Sequence, residues 1–489
     1  MKYATLKKNE QSKQPEHFPI LARCLTATVW SLFLLSASLI IYFYPAVPTL
    51  KVGPLIRING FSLIIITATS FFSGIVHSYS LVYMKGFKKY NRFFLLCFGF
   101  TLAVFLLVIS NNVFLLLFSW LMMGFIMSKL IGISNGWQEA EISGRYAAKH
   151  FFAGAFFLSA GVLTIAIYSG FYTLADLIPA LGTMPMYVLL FSALCIIVAA
   201  IIQSAMFPFH KWLLSAMTAP TPSSALMHAG FVNGAGIILT LFAPLFFYTN
   251  TLNFLFFIGG VTAITAQFAK LLQVNVKQKL ACSTIAQMGF MIMQCGLGFF
   301  NAAVAHLILH GFYKAYLFLS AGEEIEQKAP AQTVNPKILP LQAFVVLVFG
   351  VLGALLFAYF TGKGLSMNSG IFLTLIVAIT VGQVTYNIVK EKSLPLLAKI
   401  LLPSLLSLVG ISVYALFYNG VSALMADMPF ADKPLPLSVT QIIFGILFLL
   451  GFFFMKLGLY KKLPWLYVKL LNQSQPYKKS ILMFTNKTA

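Results

Sequence analysis

Three ionisable side chains recur at four-residue intervals in the apolar segment AHLILHGFYKAYLFLSAG. Residues four apart share one face of a helix, so His306, His310 and Lys314 form a polar stripe about 12 Å long. Imidazoles exchange protons near neutral pH, and an ammonium group surrounded by hydrocarbon gives up its proton more readily than one in water. The spacing therefore predicts a proton-accepting line. The alternative is that backbone carbonyls satisfy the histidines and the lysine extends to the membrane surface.

A second group of polar side chains surrounds three prolines, Pro208, Pro220 and Pro222. Each proline lacks a backbone donor and interrupts a helix. Interrupted helices at membrane depth occur where they are buried in protein or line a water-filled cavity. The polar side chains around the prolines are Gln203, His210, His228 and Asn233. The segment is either a gate on an ion path or a re-entrant connector whose polar side chains satisfy freed carbonyls.

A third polar run, QVNVKQKLACSTIAQMG, joins two apolar segments. Lys277 and Lys279 have the position of interfacial anchors, whereas Lys270 is either another anchor or part of a polar axis through the membrane. The five cysteines are scattered singly, and no third ligand lies near the His306/His310 pair. We therefore expect no metal site, no cofactor and no catalytic nucleophile in this chain, which indicates a transporter subunit and not an enzyme.

The elements that must position these side chains are membrane-spanning helices. Only 9% of the 489 residues are charged and 60% are hydrophobic, whereas a soluble domain carries about 25% charged residues. Apolar runs without the alternation of a membrane barrel predict an all-α, polytopic helical bundle. About fourteen spans are expected, near 20–45, 61–84, 92–110, 112–133, 149–169, 185–205, 223–249, 252–274, 279–299, 301–322, 338–361, 369–391, 395–418 and 435–460.

The basic residues give the predicted orientation. If the N-terminus is cytoplasmic, 28 of the 33 Lys and Arg residues fall on the cytoplasmic side, which predicts a multi-pass protein of the cell inner membrane with both termini in the cytoplasm. This placement explains the net charge of +22 without nucleic acid and suits anionic lipid or an acidic partner. The predicted division is a basic tail (1–19), a transmembrane core (20–322), a polar linker (323–340), C-terminal transmembrane helices (341–460) and a second basic tail (461–489).

Three motifs in order, PFHKWLLSAMTAPTPSSALMHAG, QVNVKQKLACSTIAQMGF and HLILHGFYKAYLFLSAG, resemble the core of the antiporter-like, proton-translocating subunits of complex I (NuoL-like) and of Mrp antiporters. The resemblance covers roughly residues 60 to 325. It implies that five side chains match positions of that family's hydrated polar axis: His228, Lys270, His306, His310 and Lys314.

The chain departs from the pump subunits of that family at two positions. Those subunits usually carry a Trp-Glu pair in an early span and a Lys before the interrupted helix, whereas this chain has Leu121 after Trp120 and Gln203 at the second place. The segments APTPSSALMHAGFVNGAG and GRYAAKHFFAGAFFLSAG are more similar to the DabB branch, the membrane subunits of an energy-coupled inorganic carbon transporter. That resemblance implies a cation path driven by a proton or sodium gradient, and a cytoplasmic zinc partner, DabA, that hydrates carbon dioxide.

Two other functions remain open from the sequence. One is a proton-translocating subunit of complex I or of an Mrp-type cation/proton antiporter. The other is a membrane scaffold that docks a soluble enzyme without conducting ions, which the missing carboxylate at Leu121 makes conceivable.

Overall fold

The computed structural model describes residues 20–134, 136–321, 340–391, 394–456 and 458–478. The predicted N-terminal tail (1–19) and nearly all of the predicted linker (323–339) lie outside these residues. The described chain is a bundle of α-helices with one two-stranded hairpin, so the predicted all-α fold class is confirmed.

The helices in chain order are α1 Ile20–Phe43, α2 Gly60–Tyr83, α3 Tyr90–Ile109, α4 Val113–Ile131, α5 Gln138–Ser169, α6 Leu174–Ala180, α7 Met186–Gln203, α8 Lys211–Ser215, α9 Thr221–Ala229, α10 Gly234–Leu241, α11 Ala243–Tyr248, α12 Leu252–Leu271, α13 Val276–Gly296, α14 Phe300–Leu319, α15 Pro340–Thr361, α16 Gly370–Lys390, α17 Leu396–Leu424, α18 Val439–Lys456 and α19 Pro464–Gln473. Short 3-10 turns are Leu181–Thr183, Ala216–Thr218, Phe231–Asn233 and Leu459–Lys462. Strands β1 Leu50–Val52 and β2 Ile56–Ile58 pair antiparallel, with Lys51 opposite Arg57.

Twelve helical segments within the described ranges are long and apolar enough to cross a membrane, and each coincides with a predicted span. The other two predicted spans correspond to α13, which carries Lys277, Gln287 and Gln294, and to α18, whose apolar part Val439–Gly451 is short. Large apolar side chains face outward around the bundle, such as Phe156 at 69% exposure and Leu416 at 78%. A bilayer would cover these surfaces, as expected for a multi-pass membrane protein.

Contacts between loops define two ends of the bundle. At one end, Lys277 Nζ donates to the Ala219 carbonyl at 3.0 Å, and the rings of Tyr146 and Tyr477 stack with centroids 4.1 Å apart. This end carries most of the described lysines, and we call it the basic face: residues 85–92, 129–149, 211, 270–279 and 462–478. The opposite face holds β1, β2 and the loop 425–433.

Close approach of α12 and α13 depends on glycine. A Cβ atom at Gly289 would lie 2.7 Å from the carbonyl oxygen of Gly259, and one at Gly259 would lie 2.6 Å from that of Gly289. Small residues let helix backbones approach closely in membranes, where packing is the main attraction between helices. The pair therefore fixes α13, which carries one wall of the polar interior, against α12.

We expect Gly289→Val to destabilise the protein by about 1–3 kcal/mol, because the added side chain forces α12 and α13 apart. A lower thermal midpoint of the detergent-solubilised protein would be the readout. Gly420→Ala is the matched control: a Cβ there meets nothing within 4 Å, so its midpoint should equal or slightly exceed that of the wild type. Equal midpoints for the two variants would contradict the packing argument.

Candidate functional site

Helix α14 presents the predicted stripe to the interior of the bundle. His310 is 6% exposed and Lys314 is fully buried, and the rings of His306 and His310 lie 6.1 Å apart with an interplanar angle of 23°. A Cβ at Gly311 would meet the Phe72 ring at 2.5 Å and the Ala229 carbonyl at 3.0 Å. The absence of a side chain at Gly311 thus allows α2 and α9 to pack directly against the stripe.

Lys314 is linked to His228 through α13. The Lys314 ammonium donates to the carbonyl of Leu280 at 3.2 Å, and the Thr284 hydroxyl donates to the same carbonyl at 3.1 Å. Nδ1 of His228 lies 2.9 Å from the Thr284 oxygen. A hydroxyl has one hydrogen, and Thr284 donates it to the Leu280 carbonyl. The Thr284 oxygen therefore accepts a hydrogen bond from Nδ1–H of His228. The structure therefore joins α14, α13 and α9 in one polar network.

Several histidine ring nitrogens near Lys314 remain available for hydrogen bonding. Nε2 of His228, Nε2 of His306 and both ring nitrogens of His310 are buried and have no hydrogen-bond partner among the described residues. In the neutral form of this ring, which is stacked on Phe318 with centroids 4.2 Å apart, Nε2 of His228 is then the accepting nitrogen. These atoms can hydrogen-bond water or accept a proton that moves along the stripe.

A cavity of about 460 Å³ lies beside His306, between the core and helices α15 to α17. Most of its lining is apolar, and its polar lining residues are Gln294, His306, Thr380, Ser407 and Tyr414. Gln294 is 2% exposed, and its Oε1 has no hydrogen-bond partner among the described residues. The cavity extends the polar interior beyond the end of the stripe that lies opposite Lys314.

Lys270 lies near the other end of the network. Its side chain is half-buried near the end of α12, and its charge and that of Lys314 repel each other. The structure therefore places Lys270 near the stripe, without a hydrogen bond to it in the described ranges. It does not do so for His210, whose contacts are with the Phe207 ring, 3.8 Å away, and with the carbonyl of Gln473.

The seventh span is interrupted at Gly230, and neighbouring side chains satisfy the freed carbonyls. Gln203 Nε2 donates to the Phe231 carbonyl at 3.0 Å, and the Ser204 hydroxyl donates to that of Val232 at 2.8 Å. Asn233 Nδ2 donates to the Ala229 carbonyl at 2.7 Å and to the Leu307 carbonyl of α14 at 3.3 Å. Gln203 therefore stabilises the interrupted backbone. His228 lies two residues before Gly230.

The three prolines lie in or beside the earlier interruption, between α7 and α9. Pro208 lies between α7 and α8, and Pro220 and Pro222 lie at the start of α9. Proline is favoured in the first turn of a helix, because the missing N–H has no intrahelical acceptor there. Both interruptions free backbone groups from helical hydrogen bonds. The interruption at Gly230 lies beside the polar network.

The described part of the predicted C-terminal tail packs on the basic face. Residues 463–478, which we call the C-terminal strap, include α19 and contact two parts of the core: α8 with its N-cap, and the turn between α12 and α13. Nε2 of His210 lies 2.8 Å from the Gln473 carbonyl, Gln273 Nε2 donates to the Ser474 carbonyl at 3.3 Å, and the Tyr477 amide donates to the Ser215 hydroxyl at 2.9 Å. The strap thus packs against the segment between α7 and α9.

The docking of this strap should weaken in acid. Burial lowers the pKa of His210 below its usual 6.5; the hydrogen bond to Gln473 opposes this shift and the charge of Lys211 adds to it. A histidine whose pKa is lower in the docked state binds a proton more readily when undocked, so docking is fully stabilised above about pH 6.5 and loses stability below it. Deuterium uptake by residues 463–478, corrected for intrinsic exchange, should be higher at about pH 5.5 than at about pH 7.5. His210→Gln keeps a donor without titrating, and an unchanged pH dependence in this variant would contradict the assignment.

The sequence reasoning missed His77 and the role of Thr284. His77 on α2 is fully buried; its Nδ1 lies 2.7 Å from the Ser73 carbonyl, and its Nε2 has no hydrogen-bond partner in the described ranges. The Ser73 hydroxyl in turn lies 2.6 Å from that of Thr101 on α3. The signal was present in SFFSGIVHSYS, where small hydroxyl residues and a histidine recur at helical spacing.

Carboxylates lie only at the ends of the described bundle. All six in the described ranges are near helix ends or in loops: Glu139, Glu141, Asp176, Glu391, Asp427 and Asp432. Leu121, which follows the buried Trp120, is 37% exposed on the outward side of α4. Within the same ranges, no three His, Cys, Asp or Glu side chains are grouped so as to hold a metal ion.

Comparisons with known proteins agree with this architecture. A family model described as NADH:quinone oxidoreductase/Mrp antiporter, TM, matches residues 110–389, and one described as NADH-ubiquinone oxidoreductase (complex I), chain 5 N-terminus, matches residues 45–94. In three dimensions the chain is similar to a chain of the membrane-bound sulfane sulfur reductase, an archaeal respiratory membrane complex, with a TM-score of 0.58 at 18% identity over 94% of this chain and 95% of that one. At this identity the likeness shows the fold.

Two curated relatives illustrate the sequence similarity. The chain is 38% identical over 282 residues to the probable inorganic carbon transporter subunit DabB1 of Halothiobacillus neapolitanus, which is 56% of this chain and 50% of that protein. It is 36% identical over 292 residues to NADH-quinone oxidoreductase subunit L of Rickettsia conorii, covering 57% and 44%. The chain thus spans about half the length of these relatives. The resemblance predicted from the sequence is confirmed: the chain belongs to the family of membrane subunits of NADH:quinone oxidoreductases and Mrp antiporters, and is similar within it to DabB subunits.

Proposed function

We propose that this chain is the membrane subunit of an energy-coupled inorganic carbon pump. In this proposal it lies in the inner membrane with both termini in the cytoplasm and conducts a cation down its gradient. The cation flow drives carbon dioxide hydration and bicarbonate accumulation by a cytoplasmic DabA-like zinc partner, and anionic lipids contact the basic face. The zinc and the hydration chemistry belong to the partner.

The observation that carries the proposal is the buried network of Lys314, Thr284 and His228, together with the nitrogens of His306 and His310 that have no hydrogen-bond partner among the described residues. Burying a lysine without a carboxylate partner is costly and is characteristic of functional sites in membranes. Nitrogen atoms that gain and lose protons suit H⁺, whereas hard metal cations such as Na⁺ prefer several oxygen ligands. The nitrogen atoms along the proposed ion path therefore favour H⁺ over Na⁺ as the coupling ion.

The similarity to DabB subunits supports the carbon substrate, as do the two departures from pump subunits. Leu121 faces outward, and Gln203 is committed to the Phe231 carbonyl, so neither position supplies a charge to the interior. A subunit that depended on a Glu/Lys pair at these positions would lack both members. The Lys314 network would have to carry the coupling by itself.

Co-purification followed by a metal assay tests the partner. The tagged chain, produced with the genes that adjoin its own, should bring down a soluble protein that contains zinc. Recovery of quinone-reductase or antiporter subunits instead would favour a complex I or Mrp-type role, for which the similarity to subunit L is the supporting observation.

Uncoupler sensitivity separates a conducting subunit from a scaffold. If the chain conducts protons, collapse of the proton gradient should abolish bicarbonate accumulation while the complex remains assembled. Accumulation that is insensitive to a protonophore, in cells that depend on this chain, would identify the chain as an anchor.

A further inference from the structure

Four basic side chains from three helices converge on one cavity at the basic face. The cavity has a volume of about 280 Å³ and lies among the ends of α3, α4 and α5. Its charged lining residues are Lys89, Arg92, Lys129, Arg145 and Glu141. With four cations and one carboxylate, the lining carries a net charge of +3. No ion pair joins any of the four cations to a carboxylate in the described part of the chain.

The positions of two of these cations are unfavourable without an anion. Lys89 is the N-cap of α3 and Arg92 lies in its first turn, a turn with no acidic residue, whereas Arg145 lies two turns into α5, whose first turn holds Glu139 and Glu141. The N-terminus of a helix carries the positive end of its dipole, so cations there are destabilised and anions are stabilised. Lys129 differs, because it lies in the last turn of α4 and over the Phe125 ring at 5.2 Å. The orientation of the protein requires basic residues at this face but does not require them to converge.

Backbone atoms form the floor of the cavity. A Cβ at Gly144 would lie 2.9 Å from the Ser128 carbonyl and 3.0 Å from the Cα of Gly132, so α4 and α5 touch at this point. The basic side chains surround this contact, and Arg92, Lys129 and Arg145 remain exposed. Phe125, beside Lys129, is 40% exposed on the outward surface of α4. The cavity therefore lies where the outward apolar surface of the bundle meets its basic end.

We propose that this cavity binds the phosphate group of an anionic phospholipid. Arginine and lysine on several sides match the oxygens of a phosphate, and the adjoining apolar surface of α4 fits the acyl chains. Glu141 lies at the same cavity and hydrogen-bonds headgroup hydroxyls. This site depends on one part of the proposed function, the placement of the basic face at an anionic membrane surface. It does not depend on carbon transport.

Lipid binding to the purified full chain tests the site. Dissociation constants for phosphatidylglycerol and for phosphatidylcholine would be measured by native mass spectrometry on the wild type and on the double variant Arg92→Gln/Arg145→Gln. We expect the double variant to bind phosphatidylglycerol about 25-fold more weakly, or about fivefold per charge removed, with phosphatidylcholine unaffected. Lys149→Gln/Lys279→Gln removes two charges from the same face outside the cavity and should bind as the wild type does.

Equal loss in the two double variants would overturn the site, since only the total charge of the face would then matter. Unchanged affinity in Arg92→Gln/Arg145→Gln would overturn it as well. Competition by millimolar inorganic phosphate would support a phosphate site whose ligand comes from solution, and its absence would support the lipid. Lys314→Ala should bind phosphatidylglycerol normally, which separates a failure of this site from a failure of the proposed function.

Discussion

If the chain has the proposed function, replacing Lys314 by alanine should abolish the carbon-dependent growth that it would support in a strain lacking its own bicarbonate supply. The ammonium is fully buried and lies between the stripe of α14 and the Leu280 carbonyl, so its loss removes the charged group shared by both halves of the network. Alanine leaves the helix intact because it has the highest helix propensity. Growth at ambient carbon dioxide, with growth at elevated carbon dioxide as reference, measures the effect.

Lys279→Ala is the matched control, since this exposed lysine lies on α13 next to Leu280 but outside the network. It should grow as the wild type does. Both variants must be recovered from membranes in equal amounts with the partner attached. Full growth of the Lys314 variant would exclude this lysine from the ion path.

Under the proposed function, replacing Thr284 by valine should slow bicarbonate accumulation by about 100-fold, the lower range of what a positioned proton-transfer group contributes. Valine keeps the shape of threonine but removes the oxygen that accepts from His228 Nδ1. The imidazole then loses the bond that keeps Nε2 as its accepting nitrogen. Initial rates of labelled bicarbonate uptake in whole cells would measure the effect.

Thr67→Val provides the control, because Thr67 also donates to a carbonyl of its own helix, that of Leu63, and has no histidine partner. Its uptake rate should match the wild type. Thr284→Ser should restore most of the rate, since serine supplies the same oxygen. Rates that are equally low in the serine and valine variants would assign Thr284 a packing role.

The fold could be predicted because its signals are local. Spans follow from runs of about twenty apolar residues, and the stripe on α14 follows from a spacing of four. The link between Lys314 and His228 could not be predicted, since it passes through a backbone carbonyl of Leu280 and a hydroxyl of Thr284 on a third helix. Which carbonyl faces which helix depends on packing, for which one sequence carries no periodic signal.

The interruption at Gly230 could not be predicted either, because it too depends on contacts between helices. Prolines identify positions that lack a donor, and they correctly indicated irregular backbone between α7 and α9. The break inside the seventh span has no proline, and its freed carbonyls are matched by Gln203 and Ser204 from another helix. The C-terminal strap could not be predicted for a related reason, because the basic residues that indicated a cytoplasmic tail (461–489) equally fit a helix on a polar surface.

The loop 425–433 joins the C-terminal helices to the core at the face opposite the basic face. Asp427 accepts from Asn59 at 2.8 Å and lies 3.5 Å from Arg57, while Asp432 pairs with Lys363 at 2.6 Å. Within the described ranges, these carboxylates tie the end of α17 to the start of α2 and to the end of α15. Any tilting of α15 to α17 against the core would therefore pivot about this loop, and the largest displacements would occur at the ends of these helices on the basic face, where the proposed partner binds.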